Sequence, residues 1–296
     1  MARVCACRIC YVFLTATLFF LAFSLVAGGI HAGSSSKDGA NEPSRERVQR
    51  LLSDRHMDDS EAIRLIFKED EIALPLLLTA LRERKNVERA SWALASLGGP
   101  KEREVLRSMI AAEEDHEKKW LMSSFLAGAL VDPASDEEWH FLEACLREYK
   151  NDDTAFASFS AALALGVNAS PQALRLLETV VTPGQSPTPD NDAFQEVKQA
   201  IQWIKHRPSS GKTSAPAKSE SDSKQIKHVV LGNAFYAEGD REHFSVEDIV
   251  FTRERGRALV SVEVYRGPKD AHGYNIVLER RSGAWKIVGI WVSWAA

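Results

Sequence analysis

Three stretches decide the fold: Ala93-Leu-Ala-Ser-Leu-Gly-Gly-Pro100, Leu126-Ala-Gly-Ala-Leu-Val-Asp-Pro133 and Ala161-Ala-Leu-Ala-Leu-Gly-Val-Asn-Ala-Ser-Pro171. In each, a run of small and branched apolar residues meets a Gly, Asp or Asn break and then a proline, and the prolines stand 33 and 38 residues apart. Around them, apolar residues recur at intervals of three and four, as in Ala90, Ala93, Leu94 and Leu97, then Val105, Leu106 and Met109. That spacing predicts amphipathic helices of about three turns. Each unit therefore reads as a helix, a sharp stop and a second helix, because small side chains let helices approach closely and Gly or Pro ends them. Ser135 with Glu138 forms a capping box for one second helix, and Ser170 ahead of Pro171 is a cap plus first-turn proline for another.

Working outward, the helical pattern fills 44–206 and is bounded by two stretches too poor in large apolar side chains to fold. Residues 33–43 read as a spacer and 207–224, rich in Ser, Lys and Pro, as a flexible linker. From residue 225 the period changes. Ala258-Leu-Val-Ser-Val-Glu-Val-Tyr-Arg266 alternates, and Tyr274–Arg280 and Trp285–Trp294 follow it, with Val246–Phe251 ahead. These predict a four-stranded antiparallel meander in a separate folding unit, 225–296. Alternation along the last strand puts Trp285 and Trp291 on one face and Trp294 with Val288, Ile290 and Val292 on the other. A four-stranded sheet without a helix of its own covers only one face, so the other must meet the helical part or another protein. The fold class expected is α+β.

The helical segment, about 45–206, resembles short HEAT-like repeats, in which an Ala-rich helix ends in Leu-Gly-Asp-Pro and a Leu-rich helix follows. It departs from that pattern at Gly98-Gly99-Pro100, at Val131-Asp132-Pro133 and in the insertion Thr182–Asp190. The resemblance implies an α-solenoid, each hairpin burying its apolar side against its neighbours, with an extended surface for a partner. The ending Ser-Gly-Ala-Trp-Lys-Ile-Val-Gly-Ile-Trp291 resembles the last hairpin of NTF2-like domains, which implies a curved sheet around a cone-shaped pocket.

Composition bounds the rest. The 296 residues are 45% hydrophobic and 26% charged, which excludes a wholly disordered or fibrous chain. A formal charge of −4 leaves no basic excess to hold a phosphate backbone, so nucleic acid is not an expected partner. Between 44 and 206 there are 20 basic and 28 acidic residues, a balance of −8 that repels anionic surfaces and suits basic protein segments. Arg3 and Arg8 precede an uncharged run, Ile9–Ile30, closed by Gly28-Gly29 and Ile30-His31-Ala32. This order reads as a signal peptide or signal anchor, 1–32, so the expected location is extracytoplasmic, periplasmic or secreted. Membrane contact is expected only through residues 9–30, if they stay uncleaved. Cys5, Cys7 and Cys10 stay with that segment, and Cys145 alone falls in the helical part, as a small buried hydrophobe.

No metal, phosphate-loop or nucleophile motif appears, and no two of the eight histidines are three or four residues apart. Neither a cofactor nor a metal is expected, and no catalytic residue is assigned. Candidate binding residues are Trp285 and Trp291 on the last strand, with Tyr265, Glu263 and His272 for the pocket that the NTF2-like ending implies. The leading expectation is an exported non-enzymatic scaffold or adaptor acting by protein–protein contact through the helical surface. The alternative is a small-molecule-binding or isomerase-type pocket in the C-terminal part.

Overall fold

The structure, a computed structural model, describes residues 42–148, 155–181, 192–206, 221–233, 244–267 and 270–295. The expected export segment, nearly all of the 33–43 spacer, the 182–190 insertion and residues 207–220 of the linker lie outside the described residues. The helices are α1 (Ser44–Ser53), α2 (Asp59–Phe67), α3 (Asp70–Arg82), α4 (Val87–Leu97), α5 (Pro100–Ala112) and α6 (His116–Gly128). They continue with α7 (Asp136–Arg147), α8 (Ala155–Asn168), α9 (Pro171–Val180), α10 (Asp192–His206) and α11 (Asp222–Gly232). Four strands follow: β1 (Phe244–Phe251), β2 (Arg257–Gly267), β3 (Asp270–Arg281) and β4 (Ala284–Ala295). The α+β class holds, and the sheet is an antiparallel meander in the order β1-β2-β3-β4.

The three repeated breaks fall between α4 and α5, α6 and α7, and α8 and α9. Local chemistry fixes each. The Ser170 hydroxyl accepts from the Ala173 N–H at 3.1 Å, with Pro171 opening α9. Ser135 caps α7, and the Glu138 carboxylate reaches back to the Ala134 N–H at 2.6 Å. At α5, where Gly99 offers no side chain, Glu102 accepts from the Gly99 N–H at 2.8 Å.

Alternate helices pack successively, α2 on α4, α4 on α6, α6 on α8 and α8 on α10. Small residues make this stack possible: Ala90, Ala127, Ala157, Ala161, Ala162 and Ala164 are fully buried. In α4, ten of the eleven residues are buried, which leaves that helix no solvent face. A helix buried on nearly every side, its Arg89, Ser91 and Ser96 included, must be covered by several neighbours. Here α3, α5, α7 and α9 lie against one side of the stack and the sheet against the other.

Residues Pro43–Ala296 form one compact unit, and helices and sheet share one hydrophobic core. The stretch 222–232 forms α11 rather than joining the linker and the first strand. Its Ile226 and Val230 are fully buried, and it packs on β4. So the sheet meets the helical stack on one face and carries a helix on the other.

Candidate functional site

The last strand sets the geometry. Ile287 pairs with Leu278 and Gly289 with Val277, so Val288 is an extra residue, a β-bulge. A bulge inverts the alternation beyond it. Trp285, opposite Arg280, therefore shares a face with Ile287 and Ile290, while Trp291, opposite Asn275, lies on the other. The expectation that Trp285 and Trp291 share a face is corrected by this register. Both indoles are buried, at 4% and 2% exposure. The side chain of Trp294 lies outside the described residues.

Trp285 belongs to the face under α11. Its Nε1 donates to Asp222 at 3.4 Å, its ring meets Phe251 edge-on at 6.1 Å, and the Arg280 guanidinium lies 5.8 Å from its centroid. Trp291 belongs to the face on the helical stack, where its Nε1 donates to the Phe125 carbonyl of α6 at 2.8 Å. Phe125 in turn stacks on Trp92 of α4 at 5.5 Å. Gly128 brings the two elements together, since a Cβ there would lie 2.5 Å from the Ile290 carbonyl oxygen.

Arginines carry much of the rest of the docking. Arg64 of α2 pairs with Asp248 of β1. Arg257, at the start of β2, donates through Nη1 to the last carbonyls of α4, those of Leu97 and of Gly98 at 3.2 Å. Arg281, at the end of β3, donates to Asp132 and to Glu279 at 2.6 and 2.7 Å. Burial lowers the Arg257 pKa, Glu279 opposes that, and the neighbouring Arg103 and Arg281 charges add to it. Around Arg257 and Arg281 lies a cavity of about 300 Å³, lined also by Pro100, Arg103, Asp132 and Glu279. Sequence reasoning missed this group, whose members span residues 100–281 and meet only through the docking of sheet on helices.

The remaining expected residues do not come together. Glu263 and Tyr265 are by register on the face of Trp291, yet Glu263 is exposed and Tyr265 is 50% exposed, so that end of β2 is uncovered. His272 is half-buried on the opposite face, its ring 6.3 Å from that of Tyr274. Among the described residues, no group of three or more His, Cys, Asp or Glu is placed to hold a metal ion. Cys145 is buried in α7, and burial pushes its thiol pKa far up, as expected of a small core hydrophobe.

On the far side of the stack, α7 and α9 enclose a groove of about 460 Å³. Its walls include Asp136, Trp139, His140 and Glu143 from α7 and Arg175 and Leu176 from α9. Trp139 and Leu176 are half-buried against the core, which leaves an apolar floor between charged rims.

Compared with known families, curated proteins and solved structures, the chain matches no family model, no curated protein and no solved structure.

Proposed function

We propose that this protein is an exported, non-enzymatic scaffold of the HEAT-like repeat kind, which holds a protein partner on the outer row of its helices. The observation that carries the reading is the successive packing of α2, α4, α6, α8 and α10, with a second helix between neighbours. A stack of hairpins exposes one long side by construction. The sheet lies against α2, α4, α6 and α8, so the partner surface is the α7–α9 side. The groove there pairs an apolar floor with Asp136 and Glu143, inside a helical region whose balance is −8. A basic, partly apolar protein segment fits that combination. Export rests on the Arg3–Ala32 pattern.

The test is site-specific photo-crosslinking in cells producing the full chain. A crosslinker in place of His140, on the groove, is expected to trap a discrete protein, and one in place of Ser96, buried beside the sheet contact, to trap none. Trapping at neither position, while the folded protein accumulates outside the cytoplasm, would remove the scaffold reading. The pocket alternative has less support, because Glu263 and Tyr265 open to solvent.

A further inference from the structure

The junction cavity between the sheet and the start of α5 holds more hydrogen-bond donors than its own carboxylates use. Arg89 of α4 is the contrast. Its Nε and Nη2 go to Asp59, Nη2 also to the Met57 carbonyl, and Nη1 to the Leu51 and Asp54 carbonyls. A guanidinium has five N–H groups, and Arg89 spends them all on protein.

The arginines of the cavity do not. Arg103 is 8% exposed and spends only its Nε, on Glu138 at 2.9 Å, so among the described residues neither outer nitrogen has a partner. Arg257 spends Nη1 on carbonyls, and its Nε stands 3.7 Å from Glu279. Arg281 spends Nε and Nη1. Each guanidinium thus keeps at least one outer nitrogen unspent, and all three side chains line the same cavity of about 300 Å³. The nearby carboxylates are already engaged: Glu138 holds Arg103 and the Ala134 N–H, and Glu102 holds the Gly99 N–H. Pro100 opens α5 on the cavity wall, and Gly99 puts no side chain on the first-turn N–H groups, so the positive end of the helix faces the same space.

We propose that this cavity binds a phosphate-class oxyanion, free or as the end group of a small monoester, through the unspent N–H groups of Arg103, Arg257 and Arg281. A tetrahedral dianion accepts from several guanidinium forks at once, where a single carboxylate does not. The volume exceeds what a bare ion fills, which leaves room for the start of an ester group.

The test is isothermal titration of the full chain with inorganic phosphate and, separately, glycerol 3-phosphate, against potassium chloride of equal ionic strength. Saturable binding of either phosphate and none of chloride is expected. Tighter binding of the ester assigns the site to a monoester, and equal or weaker binding to the free ion. Arg281→Gln, at the partly exposed member, is expected to weaken binding about tenfold or more. Asp132→Asn removes a like charge and is expected to tighten it about threefold. Arg147→Gln, on the distant face of α7, is a control expected to leave it unchanged. No saturable binding of either phosphate, weaker binding in Asp132→Asn, or equal losses in Arg281→Gln and Arg147→Gln would overturn the proposal.

Discussion

Replacing Gly128 by alanine tests the docking of sheet on helices, on which both the junction cavity and the proposed partner surface depend. A methyl group there would lie 2.5 Å from the Ile290 carbonyl oxygen and against the Trp291 indole, where ordinary contact begins at 3.4 Å. Helix and strand must then part by about 1 Å, and overpacking of this kind costs about 1–3 kcal/mol. The shift also strains the Trp291–Phe125 hydrogen bond, a contribution of about 1 kcal/mol. Against this, alanine is better than glycine in a helix by about 0.5–1 kcal/mol. The net is a destabilisation of about 2 kcal/mol, or a fall in Tm of about 4–8 °C for a unit of this size. Thermal melts followed by tryptophan fluorescence and by far-ultraviolet circular dichroism measure it. Gly256→Ala is the control, since its added Cβ would meet nothing within 4 Å and a change within about 0.5 kcal/mol is expected. The sign decides. An α6 ending free of the sheet would gain stability from alanine, so an unchanged or raised Tm in Gly128→Ala refutes the docking.

Two further outcomes follow from burial and charge. In a variant with Cys5, Cys7 and Cys10 changed to serine, Cys145 is expected to react with a thiol reagent only at the rate of global unfolding, because its thiol is buried and its pKa raised. Labelling rates followed across a urea series check this, and fast labelling in native buffer would refute it. Glu88 has a raised pKa, through partial desolvation first and then the charges of Asp59 and Glu117. A carboxyl that binds its proton more tightly when folded lowers stability as pH rises through that window, so Glu88→Gln is expected to raise Tm at pH 7 and to lose the gain at pH 3.5. At an exposed position the effect is about a few tenths of a kcal/mol, read by paired melts at the two pH values.

Much of this architecture is legible in the residues because it is local. The helix pairs follow from the Pro100, Pro133 and Pro171 breaks, and the strands from alternation of the kind seen at Val260, Val262 and Val264. The α11 helix was hidden by the Ser- and Lys-rich run before it, although Ile226, Val229 and Val230 have helical spacing. The bulge at Val288 also had a signal. Gly289 interrupts a strand, and a Cβ on it would lie 2.9 Å from Cζ3 of the Trp291 ring and closer still to its neighbour Cη2, so glycine is the residue that lets the indole fold over the bulge. The arginine group had no comparable signal. Arg103, Arg257 and Arg281 obey no common spacing, and their meeting is a product of which helix end the sheet lands on.

In Val87–Leu97 the polar side chains Arg89, Ser91 and Ser96 are buried along with the apolar ones. Covering this helix falls partly to the sheet, with a face that is far from purely apolar. Asn275 is 2% exposed, and among the described residues its Nδ2, the Trp92 indole N–H and the Ser96 hydroxyl are buried without partners. Each such group costs about 1–3 kcal/mol unless water reaches it. Apolar burial alone would not choose so polar a seam. The choice is made at the margins, where Trp291 meets the Phe125 carbonyl, Arg257 closes the end of α4, Arg281 meets Asp132 and Arg64 meets Asp248. Directional contacts of this kind fix where the sheet sits.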